Sequence, residues 1–180
     1  GTMNSNSISS TAPMIDRRRF LMTLAALAVA PNLQAQGAGM SPIPALPSAP
    51  TLRLEDIDGQ VVDLASYRGR VVLVNFWATW CPPCLEEFPS LGRVLNLFSP
   101  SDFEVIAVNV GEEAETVFSF AGSPEFPVLF DKNSQTMATW PVKGLPTTFL
   151  VDRKGLLALK AIGGREFDDP LIVNLIKGLF

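Results

Sequence analysis

Cys81 and Cys84 are the only cysteines of the chain, and they are separated by two prolines between a strand-like and a helix-like segment. Residues 71–77 form an apolar, β-branched run typical of a buried strand. Residues 82–98 place apolar side chains at helical spacing. Two sulfurs at this separation reach each other once the segment turns into a helix, so a disulfide opens and closes with little backbone motion. The motif therefore predicts a redox-active dithiol between a central strand and a helix.

The sequence lacks the additional ligands that a metal-binding cysteine pair needs. A structural zinc site takes about four ligands, whereas this chain has two cysteines and no histidine. Covalent haem attachment would place a histidine after Cys84, where Leu85 stands. A purely structural disulfide across so short a loop contributes only about 2 kcal/mol. We therefore predict a redox function with no cofactor and no metal site, and the structural disulfide remains the alternative.

Length and composition predict one globular domain with extensions. The chain has 180 residues, of which 47% are hydrophobic and 18% charged. Its net charge is −4, and no basic cluster lies outside the N-terminal region. Nucleic-acid binding therefore has no electrostatic support. We expect a monomer.

Residues 1–35 read as an expression-tag remnant followed by an export signal. Three arginines at residues 17–19 precede an apolar stretch, residues 20–30, which is shorter than the roughly 20 residues that span a bilayer. A basic start, a short apolar run and a small-residue exit are typical of a cleavable signal. The arginines followed by Phe20 and Leu21 resemble a twin-arginine signal. General secretion and an uncleaved membrane tether remain open.

Residues 36–50 contain four prolines with small residues between them. This composition predicts an extended linker without a core of its own, which would form a loose arm or a spacer. The folded domain is accordingly placed at residues 51–180.

Strand and helix patterns alternate along residues 51–180. A hairpin with a turn at Asp58-Gly59 comes first, and a second hairpin around residues 152–155 precedes the last helix. The predicted strands outside the first hairpin are 71–77, 103–110, 126–130, 147–151 and 156–162, and the predicted helices are 82–98, 113–120, 133–140 and 169–179. This order predicts an α/β fold with a mixed central sheet flanked by helices.

Two motifs carry a family resemblance, namely VNFWATWCPPC at residues 74–84 and GLPTTFLVD at residues 144–152. They resemble the thioredoxin superfamily, and within it the exported TlpA/ResA-like branch that includes reductants of cytochrome c maturation. The resemblance covers about residues 50–180. It implies a thioredoxin-like fold with an N-terminal β-hairpin and a helix–strand insertion at residues 113–130.

The position of each cysteine on the helix predicts its role. Cys81 falls at the N-cap, where free N–H groups and the helix dipole favour its thiolate, so it is the expected nucleophile. Cys84 lies one turn further and is expected to be buried and to resolve the mixed disulfide. Pro82 and Pro83 remove two N–H donors from the first turn, so Cys81 should be only moderately acidic. That favours a reductant over a disulfide donor.

Asn75 stands where cytosolic thioredoxins carry a buried aspartate, so the proton-handling carboxylate must come from elsewhere. Glu87 matches the glutamate of the resembling branch, one turn after Cys84. We expect Glu87 to be buried and to take part in proton transfer, with an ordinary surface charge as the alternative. Glu86 is expected to be solvated.

The resemblance also implies a docking surface for a client protein. Pro146 is expected to be cis and to place the Leu145 backbone beside the cysteines, where an extended client segment binds; a routine loop proline is the alternative. Trp80 and Trp77 are expected to pack near the sulfurs and shape access to them. Trp140 is expected in the core.

The resulting prediction is a periplasmic thiol–disulfide oxidoreductase that works mainly as a dithiol reductant. The resemblance implies recharging by a membrane thiol electron transporter and a client protein disulfide, in an apocytochrome c, a copper-site protein or a sulfur-metabolism protein. Two alternatives stay open: a copper(I)-handling module, since two thiolates bind that soft ion, and a disulfide oxidant or isomerase.

Overall fold

The computed structural model describes residues 1–3 and 39–180. The predicted export signal and the first residues of the predicted linker fall on residues 4–38 and lie outside the described part. No helix among the described residues is long and apolar enough to cross a lipid bilayer.

Strands and helices alternate along residues 39–180. The strands are β1 (Ser41–Pro42), β2 (Arg53–Glu55), β3 (Val61–Asp63), β4 (Val71–Trp77), β5 (Phe103–Val110), β6 (Val128–Asp131), β7 (Thr147–Val151) and β8 (Leu157–Ile162). The helices are α1 (Pro82–Leu95), α2 (Ala114–Ala121), α3 (Thr136–Thr139) and α4 (Pro170–Lys177), with a 3-10 turn at Leu64–Tyr67.

The central sheet has the order β1-β8-β7-β4-β5-β6. β4 pairs in parallel with β5 and antiparallel with β7, and β5 pairs in parallel with β6. β2 and β3 form a separate hairpin, joined to β6 by a bridge between Asp56 and Leu129. The predicted mixed sheet, the N-terminal hairpin and the helix–strand insertion (α2 and β6) are confirmed.

The alternation of side chains along β4 divides the core into two halves. Successive strand residues point to opposite faces of a sheet. Val71, Leu73 and Trp77 pack in one half together with residues of α1 and α4. Val72, Val74 and Phe76 pack in the other half, which also contains Trp140 and Phe149. Asn75 shares the parity of Leu73 and Trp77, so it lies on the face that α1 covers.

Trp140 occupies the core position that the sequence predicted. Its ring centroid lies 5.3 Å from that of Phe76 and 5.4 Å from that of Phe149. Tilted aromatic contacts of this kind are favourable beyond the area that they bury.

The segment that follows Gly39 differs from the loose arm expected for residues 36–50. Met40 is buried in the α1-side core, and β1 pairs antiparallel with β8. The Ile43 N–H donates to the Ala158 carbonyl (2.9 Å), and the Pro47 carbonyl accepts from Leu157 (2.8 Å). Composition suggested a linker, but β8 would otherwise expose an unpaired edge, and a proline-containing segment is suited to an edge strand.

The remaining differences concern helix ends. α1 ends at Leu95 rather than 98, and α3 covers Thr136–Thr139 rather than 133–140. The Asp131 carboxylate accepts the N–H groups of Gln135 (2.9 Å) and Thr136 (2.8 Å), so a turn occupies the expected first part of α3. The other predicted elements agree with the structure within about two residues at each end.

Candidate active site

Cys81 and Cys84 lie at the start of α1 and are joined by a disulfide, with their Cα atoms 5.3 Å apart. Cys81 is the N-cap residue in an extended conformation, and its carbonyl accepts the N–H groups of Cys84 (3.0 Å) and Leu85 (3.2 Å). Cys81 retains 4% of its accessible surface, whereas Cys84 is fully enclosed. Cys81 is therefore the more accessible of the two cysteines.

The aromatic residues before the cysteines occupy different surroundings. Trp80 is 69% exposed, beside Cys81. Trp77 is buried, and its ring lies 4.5 Å from that of Phe88 and 5.6 Å from that of Phe120. Trp77 thus packs against the middle of α1 and against α2, and Trp80 presents an apolar surface to solvent.

The Leu145–Pro146 peptide bond is cis, as the resemblance implied. It immediately precedes β7, whose first residue, Thr147, pairs with Phe76 near the end of β4. Leu145 is partly buried against the core half that contains both cysteines. The proline turn therefore lies at the same end of the central strands as the disulfide, where β4 ends and β7 begins.

Glu87 lies three residues after Cys84 on the same face of α1, and only 1% of its surface is exposed. Its Oε1 accepts a hydrogen bond from Asn75 Nδ2 (2.7 Å), and its Oε2 accepts one from the Arg165 main-chain N–H (3.2 Å). The expected burial of Glu87 is confirmed, so the surface-charge alternative is wrong.

Asn75 is the polar residue of β4 that holds this carboxyl. Its Nδ2 also donates to Thr148 Oγ1 (2.9 Å), which lies directly opposite on β7. The sequence had indicated Asn75 only as the loss of an ionisable group. A polar side chain on the α1-facing side of an apolar strand was the signal for a buried hydrogen-bond partner.

Burial raises the pKa of Glu87 to about 7. The hydrogen bonds from Asn75 and from the Arg165 N–H, together with the Arg165 charge, oppose this rise, and the Glu166 charge reinforces it. Desolvation disfavours the ionised carboxyl and is the largest of these effects. The carboxyl consequently exchanges its proton near neutral pH.

Glu112 anchors the loop between β4 and Cys81, a contact that the sequence analysis missed. Its Oε2 accepts from the Thr79 N–H and from Asn109 Nδ2, both at 2.7 Å, and its Oε1 accepts from the Thr79 hydroxyl. β4 and β5 are parallel, so their carboxyl ends meet at one edge. A glutamate just after β5 could have been placed beside the cysteines by that rule.

Gly164 brings the turn after β8 against the cysteine motif. A Cβ atom on Gly164 would lie 2.9 Å from the Pro83 carbonyl oxygen, closer than such contacts normally allow. Glycine is therefore required here for the turn to approach the start of α1.

The disulfide at the start of α1, the adjacent cis-proline turn and the mixed sheet define a thiol–disulfide oxidoreductase of thioredoxin-like fold. Residues 47–160 match the model of the AhpC/TSA family, and the chain belongs to this family.

Individual relatives agree with this class. The chain is 38% identical to the thiol-disulfide oxidoreductase ResA of Bacillus subtilis over 133 residues, which cover 72% of this chain and 74% of that protein. A Chlorobium tepidum protein assigned as the thiol:disulfide interchange protein DsbE superimposes with a TM-score of 0.69 at 35% identity, covering 74% of this chain and 95% of that one. The pneumococcal exposed lipoprotein thioredoxin Etrx1 of Streptococcus pneumoniae superimposes with a TM-score of 0.62 at 29% identity, covering 72% of this chain and 100% of that one. The resemblance stated from the two motifs is confirmed.

The raised pKa of Glu87 predicts a specific dependence of stability on pH. Between about pH 4.5 and 7 the unfolded chain releases the Glu87 proton while the folded protein retains it, so the free energy of unfolding falls as pH rises. Glu87→Gln removes this effect. We expect the wild type to lose about 3 kcal/mol relative to Glu87→Gln between pH 4 and pH 8, measured by urea unfolding of the oxidised protein.

Glu86→Gln is the matched control for this experiment, since it makes the same charge change at the neighbouring exposed position. A difference in the free energy of unfolding between wild type and Glu87→Gln that stays constant across the pH range would contradict the raised pKa.

Proposed function

We propose that the protein is an exported dithiol reductant that reduces disulfides in client proteins. The observation that carries this proposal is the pairing of a weakly stabilised Cys81 with a buried acid, Glu87, next to Cys84. The Cys81 side chain makes no capping hydrogen bond, and prolines occupy the first two helical positions. A thiolate with few stabilising donors makes the dithiol a better electron donor, because strong oxidants of this fold stabilise their reduced form.

The proposed reaction begins with the Cys81 thiolate attacking a client disulfide. A bond forms between Cys81 Sγ and one client sulfur, and the second client sulfur leaves as a thiolate. Cys84 then loses its proton and attacks Cys81 Sγ, which closes the disulfide and releases the first client sulfur. The client gains two electrons and the protein loses two, so a thiol donor must reduce the disulfide before the next cycle.

Glu87 is the proposed acceptor of the Cys84 proton. The two side chains lie on one face of α1, and both are enclosed. A pKa of about 7 leaves a substantial ionised fraction at neutral pH, so the carboxyl can accept a proton and later release it. An ionised carboxyl in the same enclosed region also disfavours the thiolates and thereby supports the reducing direction.

The client is proposed to bind across Trp80, Leu145 and Pro146. Trp80 offers exposed apolar surface on one side of the disulfide, and the cis-proline turn lies at the same sheet edge. An extended client segment hydrogen-bonded to the Leu145 backbone would present its disulfide to Cys81. Cytochrome c precursors, copper-site proteins and sulfur-metabolism proteins are the proposed client classes.

The proposed location is the periplasm, either free or held by an uncleaved signal. The arginine-containing N-terminal sequence supports export, and the name of the pneumococcal relative describes an exposed lipoprotein. In an oxidising compartment the dithiol needs a continuous electron supply, so a membrane thiol electron transporter is the proposed donor.

The N-cap position of Cys81 predicts the order of reactivity. In the reduced protein at neutral pH, one thiol should react with iodoacetamide at least about tenfold faster than the other, because Cys84 is enclosed and Cys81 is the more accessible cysteine. Peptide mapping should place the first label on Cys81. Preferential labelling of Cys84 would overturn the proposed mechanism.

The weak stabilisation of the Cys81 thiolate predicts a reducing potential. We expect a value near the about −270 mV of thioredoxin rather than the about −120 mV of the strongest oxidants of this fold. Equilibration with dithiothreitol or glutathione buffers measures it. A potential above about −180 mV would place the protein with oxidants and isomerases instead.

The proposed proton transfer predicts that Glu87→Gln slows disulfide exchange. Loss of the acceptor should reduce the single-turnover rate on a model disulfide by about 10²-fold, within the range of general acid–base catalysis. The thiol pKa values should fall, since a negative charge is removed; thiolate absorbance against pH measures this. Glu86→Gln is the control, and a Glu87→Gln variant that reacts and titrates like the wild type would show that the proton passes to water.

A further inference from the structure

Arg165 directs its guanidinium at main-chain carbonyls. Nη2 donates to the Ile162 carbonyl (2.8 Å), Nε approaches the Gly163 carbonyl (3.4 Å), and Nη1 donates to the Gly39 carbonyl. Arg165 takes part in none of the ion pairs found among the described residues. The guanidinium therefore ties the end of β8 to the segment that leads into β1.

The main chain of the same turn contacts α1 at successive points. Gly164 packs on Pro83, the Arg165 N–H donates to Glu87 Oε2, and the Phe167 N–H donates to Ser90 Oγ (3.0 Å). The Ser90 hydroxyl in turn donates to the Glu87 carbonyl (2.6 Å). The turn thus runs along the helix from the cysteine motif to Ser90, with the Glu87 carboxyl in between.

We propose that Arg165 is a positioning residue for the active-site carboxyl. Its guanidinium binds the carbonyls of Gly39, Ile162 and Gly163 and so fixes the turn in which the Arg165 N–H is directed at Glu87. Packing of the segment around Gly39 against the end of β8 is thereby coupled to the acid–base chemistry of the dithiol. The inference rests on the proposed function of Glu87 as proton acceptor.

The physical argument is that a hydrogen-bond donor stabilises a carboxylate only while it is held in place. The Arg165 N–H belongs to a surface turn, which would otherwise be free to move away from α1. Three carbonyl contacts on one planar guanidinium restrain that turn in a way that a lysine ammonium does not reproduce. The arginine charge lies near the same carboxyl and, like the N–H donor, lowers the pKa of Glu87.

The other groups around Glu87 complete its electrostatic environment. Glu166 on the same turn opposes ionisation of Glu87. Asn75 and Thr148, from the sheet, are uncharged, and Cys84 does not titrate while it is in the disulfide. Glu86 is the neighbouring titratable group on α1. Arg165 is therefore the positive charge that acts on this carboxyl from the elements packed around it in the described part of the chain.

The test is a carbon-13 NMR titration of the Glu87 carboxyl in the oxidised full-length protein, with the signal assigned by its loss in Glu87→Gln. We expect Arg165→Met to raise the titration midpoint by about one pH unit, because the carboxylate loses both the held N–H and the charge. Arg165→Lys keeps the charge without the carbonyl contacts, and it should recover less than half of that shift. Amide hydrogen exchange at position 165 should accelerate at least about tenfold in both variants.

Arg68→Met is the matched control. Arg68 also binds a main-chain carbonyl, that of Lys154 (2.6 Å), but it lies before β4, at the opposite end of the sheet from the cysteines. The Arg68→Met variant should leave the titration midpoint of Glu87 unchanged.

An unchanged midpoint in both Arg165 variants would overturn the proposal, and so would full recovery by Arg165→Lys, since the charge alone would then suffice. If Arg165→Met does not fold, the Glu87 titration midpoint of Arg165→Lys, compared with that of the wild type, tests the proposal. These outcomes do not depend on redox activity, so they are separate from a failure of the proposed function, which the potential and the Glu87→Gln rate decide.

Discussion

The hydrogen bond between Asn75 and Glu87 joins the central strand to the active-site helix, and the rest of the site is arranged around it. A carboxyl enclosed one helical turn from Cys84 is costly to ionise unless donors compensate. Asn75 supplies one donor from the middle of β4, and the turn after β8 supplies the second. The sheet, the helix and the turn after the last hairpin therefore meet at one carboxyl, and the two donors partly offset the rise in pKa that burial causes.

The parts of the fold that the sequence predicted are those with a local signal. The apolar run of β4, the amphipathic spacing of α1 and the proline motif before β7 each determine their own element. The burial of Glu87 was expected from its match to the glutamate of the resembling branch, one turn after Cys84.

The parts that could not be predicted depend on contacts between distant segments. Arg165 meets Gly39 and Glu87 only after β8 has been placed beside β1, and nothing in its neighbours along the chain indicates this. The segment around Met40 has the composition of a linker, yet the free edge of β8 gives it a partner. α3 is short because Asp131 binds the N–H groups ahead of it, a side-chain effect that helical spacing does not record.

The amide of Asn75 has a consequence that an aspartate would not have. Its Nδ2 binds Glu87, while its Oδ1 has no hydrogen-bond partner among the described residues. An amide offers donors on one side and an acceptor on the other, so the same group can donate to a carboxylate or, after a half-turn, accept from a carboxylic acid. A second carboxylate at this position would instead repel the first. Asparagine can thus form a hydrogen bond with Glu87 in both the ionised and the neutral state of the carboxyl.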